Sequence, residues 1–126
     1  MSDHLFKPVL YLKENCPFCL KIRIFVLEAD ISDDVQIRDF APGSEDENVI
    51  RAELLPHLDK VSFPAGQLQP GRYATESDDI VAFLAARSGR DTAAIPVYRN
   101  YVDGIFATAM KLWKENQDLK KAASAT

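Results

Sequence analysis

Cysteine, histidine and clustered positive charge are scarce in this chain, and a long apolar run is missing altogether. The two cysteines and two histidines do not make a zinc site, because no second CxxC accompanies Cys16 and Cys19, and neither His4 nor His57 stands at ligand spacing from them. A structural disulfide is disfavoured too. CxxC closes a very short loop, and no signal-like apolar segment implies secretion. Without an apolar stretch of about 20 residues or a lipidation motif, no membrane partner is expected and a reducing cytoplasm is the natural setting. The net charge of −4, with basic residues scattered along the chain, leaves no footprint for a phosphate backbone, so no nucleic-acid partner is expected. What is present is enough for a core: 126 residues, 47% of them hydrophobic and set in alternating stretches, predict one globular unit and not a disordered chain.

Cys16-Pro17-Phe18-Cys19 is the most informative stretch. It follows the apolar run Val9-Leu10-Tyr11-Leu12 and opens a helix-like run from Leu20 to Ala29. A strand, a turn holding two thiols and then a helix place Cys16 beside unpaired N–H groups and a positive dipole end, which favour thiolate over thiol. Cys16 is the expected nucleophile. Cys19, inside the first helical turn, is near enough to attack a mixed disulfide on Cys16 and release the bound thiol. Pro17 suits the first helical position, where its missing N–H costs nothing. The plain alternative is a pair of buried, inert cysteines.

Further along, Val35 to Phe40 alternates apolar and polar residues as a half-buried strand does. Ser44 and Glu47 form a capping box before Ile50, Leu54 and Leu58, predicting a helix from about Glu45 that Pro56 ends or kinks. Ser62 to Leu68 and Arg72 to Thr75 flank Gln69-Pro70-Gly71 and read as a hairpin. Asp79 to Arg87 reads as a third helix with Gly89 just past its end. The order is βαβαββα, an α/β arrangement in which the first two strands are parallel through a crossover.

This order resembles a glutaredoxin, and equally the thioredoxin-fold N-terminal domain of glutathione transferases. The residues that carry the resemblance are Lys13-Glu14-Asn15-Cys16-Pro17-Phe18-Cys19 after the first strand, Phe63-Pro64 before the hairpin, and Glu76-Ser77-Asp78-Asp79 at the third helix. It spans Pro8 to Ser88 and implies a thioredoxin-like fold with a mixed four-stranded sheet. It also implies a cis Pro64, with the Phe63 backbone holding the cysteinyl unit of glutathione. Glu76, Ser77 and Asp78 would hold the γ-glutamyl end, where a helix N-terminus suits a carboxylate and an acid suits the amine. Lys13 would lie near the thiolate and the glycyl carboxylate, and Phe18 is placed among the glutathione contacts. Each has a plain reading: an edge-strand proline, helix capping by Thr75 or Ser77, a solvated lysine. The chain departs from the transferase pattern at Leu55 to Pro64, where Lys60 is displaced and Phe63 replaces the usual valine; His57 reads as a loop residue.

The division expected is a thioredoxin-like domain over residues 1–89, followed at 90–126 by a linker and one amphipathic helix instead of a full transferase helical domain. Tyr98, Tyr101, Val102, Ile105, Phe106, Ala109, Met110, Leu112 and Trp113 recur at helical spacing after Pro96. Their stripe is expected to meet Leu20, Ile24 and Leu27 on the thiol helix, or a second subunit as a homodimer. Gly104 suggests a close backbone approach, and Lys114 to Thr126 is expected to fray. The expected function is glutathione-dependent thiol–disulfide oxidoreduction of glutaredoxin type, with Cys16, Pro17 and Cys19 as the catalytic motif and glutathione as cosubstrate. Disulfide or glutathionylated molecules are the expected partners, and no metal is expected. Two alternatives are a small transferase or dehydroascorbate-reductase-like enzyme in which Cys16 works alone, and a non-catalytic glutathione-binding or protein-interaction module.

Overall fold

The apolar run before the cysteines becomes the central strand of the sheet. In the computed structural model, which describes residues 6–124, β1 (Val9–Lys13) buries Leu10, Tyr11 and Leu12. It pairs in parallel with β2 (Gln36–Phe40), from Val9 opposite Gln36 to Lys13 opposite Phe40. On its other edge it pairs antiparallel with β3 (Ala65–Gln69), Tyr11 opposite Ala65. β4 (Arg72–Ala74) completes a mixed four-stranded sheet in the order β2-β1-β3-β4. A parallel pair needs a crossover, and α1 (Pro17–Glu28) supplies it.

Alternation along β1 divides the core between the two faces of the sheet. Leu10 and Leu12 join Ile22, Phe25, Ile80 and Leu84 beneath α1 and α3 (Ser77–Ser88). Tyr11 joins Phe40, Ile50 and Leu54 on the side of α2 (Glu45–Leu54). The predicted capping box forms in its first half, with Ser44 Oγ accepting from the Glu47 N–H at 3.3 Å, while the Glu47 carboxylate reaches one residue past the cap and accepts from the Gly43 N–H at 2.8 Å. α2 gives out at Leu55, directly before Pro56. Gly89 ends α3 in the left-handed conformation, φ 71°, that a glycine adopts without Cβ strain.

Two boundaries differ from expectation by two residues or more. β3 starts at Ala65 instead of Ser62, because Pro64 has no N–H to give a ladder. α3 starts at Ser77 instead of Asp79, and Ser77 turns inward.

The C-terminal segment differs more. The helical path from Pro96 to Ser124 is one expected helix in three parts: α4 (Pro96–Asn100), a π-helical turn over Tyr101–Phe106, and α5 (Ala107–Ser124). α4 does the docking. Tyr98 is buried with its ring edge-on to Phe25, centroids 5.4 Å apart, and the Glu28 carboxylate at the end of α1 accepts the N–H groups of Val97 and Tyr98 at 2.9 and 2.7 Å. The expected contact with Leu20, Ile24 and Leu27 is only partly made: Ile24 and Val102 pack against the same core and Leu20 shares a groove with Ile105 and Phe106, but Leu20 stays 46% and Leu27 68% exposed. Glu28 and Phe25 fix the start of the segment further round α1, and the π turn then carries α5 away from the sheet. No residue of α5 is buried. Nothing lies within 4 Å of where a Gly104 Cβ would stand, so this glycine marks the π turn and not a close approach. The stretch expected to fray is helical to Ser124; residues 125 and 126, like His4, lie outside the described residues.

Candidate active site

The site is assembled on the first turn of α1. Asn15, in the left-handed region at φ 61°, turns the chain out of β1, and Cys16 then caps the helix in extended conformation. Its Sγ accepts the Cys19 N–H at 3.4 Å, while Pro17 takes the first helical position, where no N–H is needed. The Cys16 thiol is held down to about 6. The hydrogen bond from the Cys19 thiol lowers it most; burial opposes this, and the N–H groups of Cys19 and Phe18 and the charge of Lys13 add to the lowering. Cys19 moves the other way. It is 1% exposed, and its bond to Cys16 together with burial pushes its thiol well above the ordinary range, although the Lys13 N–H donates to its Sγ at 3.3 Å. Both thiols are free. The arrangement favours the thiolate at half-buried Cys16 and the thiol at Cys19 beneath it.

The C-terminal segment closes one side of this loop. Tyr101 donates its hydroxyl hydrogen to the Pro17 carbonyl at 2.7 Å, and its phenol is pushed up by burial and then by the negative charge of Cys16. Phe106 meets the exposed Phe18 ring edge-on at 5.3 Å. Between segment and loop runs a groove of about 550 Å³, mostly apolar through Leu20, Tyr101, Ile105 and Phe106, with Cys16 in its wall and Lys13 and Arg23 supplying positive charge.

The peptide bond Phe63–Pro64 is cis, Pro64 is buried, and the Phe63 ring lies edge-on to Phe40 at 4.7 Å with the Arg51 guanidinium over it. Phe63 and Cys16 both pack against the core beneath α1. At α3, Glu76 is the exposed N-cap residue and makes no capping bond with its side chain. Neither Thr75 nor Ser77 serves as the cap. Ser77 is buried, and its Oγ accepts from Lys21 Nζ at 3.2 Å; Asp78 forms a salt bridge with the same ammonium.

Lys21 is the residue that sequence reasoning missed. It is 4% exposed, on α1, and its ammonium also sits 5.2 Å from the centre of the Phe106 ring. A signal existed: Lys21 lies three residues after Phe18 and four before Phe25, inside an apolar helical face. One helix therefore carries both thiols at its start and, five residues beyond Cys16, the cation that ties down Ser77 and Asp78. His57 is an exposed loop residue stacked on Tyr73, and Lys60 is exposed. Among the described residues no three of His, Cys, Asp and Glu gather to hold a metal, and no helix is long and apolar enough to cross a membrane.

The family model for the N-terminal domain of glutathione S-transferases matches residues 10–92 of the chain. No curated protein matches it. Among solved structures, a chain from Rhodopseudomonas palustris described as a possible glutathione S-transferase is similar, with 21% identity and a TM-score of 0.49. That similarity covers 64% of the present chain and 40% of the other, so the chain spans less than half the length of that structure.

Proposed function

The chain belongs to the glutathione S-transferase N-terminal domain family, and on that premise we propose that it is a glutathione-dependent thiol–disulfide oxidoreductase using Cys16 and Cys19. The observation that carries the reading is the thiol pair: Cys16 falls to about 6 while buried Cys19 keeps its proton. An ionised nucleophile at neutral pH is what disulfide exchange needs, and a lone conjugating residue has no use for the second sulfur.

In the proposed reaction the Cys16 thiolate attacks the glutathionyl sulfur of a mixed disulfide. The new Cys16–glutathione S–S bond forms as the old S–S bond breaks, and the substrate leaves as a thiolate that takes a proton from solvent. A second glutathione thiolate then attacks the glutathionyl sulfur, giving glutathione disulfide and restoring the Cys16 thiolate. With a protein disulfide, Cys19 instead attacks Cys16, forming an intramolecular disulfide and releasing the protein as a dithiol. Cys19 is held protonated first by its bond to the Cys16 thiolate. That bond loses its charge once Cys16 is in a mixed disulfide, so Cys19 becomes easier to ionise when it is needed. Glutathione is placed with its cysteinyl unit on the Phe63 backbone beside Pro64, its γ-glutamyl end at Glu76, Ser77 and Asp78, and Lys13 and Phe18 at the thiol. Residues 1–89 form the catalytic domain in this reading and 90–126 its appendage; a homodimer through the terminal helix belongs to it as well.

Turnover of a glutathione mixed disulfide of a small thiol, with glutathione as reductant, tests the proposal. Wild type and Cys19→Ser are expected to turn over and Cys16→Ser to be inactive; a wild-type rate equal to the uncatalysed exchange overturns it. A second reading, a small transferase, is favoured by the groove, since Tyr101, Ile105 and Phe106 provide apolar walls that the short C-terminal segment was not expected to supply. Conjugation of glutathione to an aryl halide above the uncatalysed rate would favour that reading.

A further inference from the structure

We propose that Tyr101 is a positioning residue for Cys16, acting through the Pro17–Phe18 peptide. Its hydroxyl, bonded to the Pro17 carbonyl, polarises that unit and strengthens the hold of the Phe18 N–H on the Cys16 sulfur. The Pro17–Phe18 bond is trans, so its carbonyl and its N–H lie on opposite edges and the unit can accept at one end while it donates at the other. Both ends are occupied. Tyr101 donates to the carbonyl at 2.7 Å, and the N–H is one of two backbone groups that hydrogen-bond the Cys16 sulfur. Hydrogen bonds linked in such a chain reinforce one another, and more so away from water.

The π turn brings the donor to this place. Tyr101 and Phe106 stand five residues apart at its two ends. In an α-helix of 3.6 residues per turn they would point about 140° apart, whereas a turn closed from i to i+5 returns them to one side. Their ring centres lie 5.6 Å apart, and between them they cover the two residues that separate the thiols: Tyr101 takes the Pro17 carbonyl and Phe106 packs edge-on to Phe18 at 5.3 Å. The peptide is gripped at its carbonyl and at the side chain that follows. Three residues before Tyr101 the segment is fixed independently, by buried Tyr98 against Phe25 and by Glu28. The titratable and charged groups about the Cys16 sulfur are Cys19 on α1, Lys13 at the end of β1 and Tyr101 on the segment, with Glu14 and Arg23 along the same groove. Tyr101 stays a donor throughout the titration of Cys16, because burial and the thiolate both push its phenol above the ordinary range. Such a relay sets how much of Cys16 is ionised, whichever reaction the sulfur performs.

Tyr101→Phe keeps the ring and removes the hydroxyl. It is expected to raise the midpoint of Cys16 alkylation from about 6 by roughly half a pH unit, about a threefold loss of thiolate below the midpoint. Phe106→Leu loosens the packing on Phe18 but leaves the hydroxyl, and is expected to keep the midpoint of the wild type. Pro17-Phe18 is the sole Pro-Phe pair in the sequence, so carbon labelling of the proline carbonyl with nitrogen labelling of phenylalanine isolates one amide signal, that of Phe18. Its proton is expected to move upfield in Tyr101→Phe. In wild type it is expected to move the same way as acid protonates Cys16, and in Cys16→Ser to stay put. A wild-type midpoint in Tyr101→Phe, or an unmoved Phe18 amide, overturns the proposal. An equal midpoint shift in Phe106→Leu overturns it as well, since packing would then account for the effect. Mixed-disulfide turnover at the uncatalysed rate with the midpoint shift intact would sink the proposed chemistry and leave the relay standing.

Discussion

Lys21 Nζ lies 3.2 Å from Ser77 Oγ, joining residues 56 positions apart across the packed helices α1 and α3. The same ammonium pairs with Asp78, whose side chain is 87% exposed while that of Lys21 is 5% exposed. This asymmetry decides which partner can be removed.

Asp78→Ala leaves a buried cation with one hydroxyl and an aromatic face, and is expected to cost about 1–3 kcal/mol, the scale of a charged group short of a hydrogen-bond partner. Lys21→Met leaves only a carboxylate that water can reach, and is expected to change stability by less than about 2 kcal/mol. Urea unfolding of the two variants checks the order; an equal loss would mean that the salt bridge is not what holds this corner.

Ser77→Ala removes an acceptor from Lys21 and the proposed contact to the γ-glutamyl end. It is expected to weaken glutathione binding by about 1–3 kcal/mol, the scale of a hydrogen bond to a charged group, and to lower stability by about 1 kcal/mol. Calorimetric titration with glutathione and a thermal melt separate the effects. Unchanged affinity with lowered stability would make Ser77 an anchor for Lys21 alone.

Alkylation of Cys16 is expected to rise with a midpoint near 6. Cys19→Ala removes the hydrogen bond that lowers this thiol most and is expected to move the midpoint up toward the free value of about 8.5. Stability follows in sign. The folded-state value lies below the unfolded one, so the Cys16 contribution is complete above about 8.5 and lost as pH falls through 6. The reduced protein is expected to lose more stability than Cys16→Ser between about pH 8 and pH 5. Parallel profiles for the two proteins would show that the thiolate is not stabilised by folding.

Two truncations separate the docked from the projecting part of the C-terminal segment. Ending the chain after Ile95 removes Tyr98 from Phe25 and deprives Glu28 of two N–H donors, and is expected to cost about 3–5 kcal/mol, as losing a buried aromatic does. Ending it after Phe106 removes no buried residue and is expected to cost less than about 1 kcal/mol in dilute solution. Thermal melts of both check the contrast.

Features specified by neighbours in sequence were legible before the structure. Cys16 as a helix cap, the Ser44 and Glu47 box, the break at Pro56 and the glycine after α3 each depend on a few adjacent residues whose geometry is nearly fixed. The thiol end of the site was legible for the same reason. Ser77 was harder, because a serine near a helix start reads as a cap, and only the position of α1 shows that its hydroxyl meets a buried ammonium. The course of the terminal segment was not legible. Periodicity identified an apolar stripe, but which helix would cover it depended on Glu28 capturing two N–H groups and on a π turn around Gly104, neither of which alters the pattern of hydrophobic spacing.

Trp113 is the chain's sole tryptophan, and it stands on the projecting helix away from the sheet. Its fluorescence is therefore a gauge of what lies against α5. The emission colour will register whatever is laid over that side chain, yet barely respond when the thiol domain melts, so the customary optical probe of unfolding reports here on the surroundings of one exposed helix.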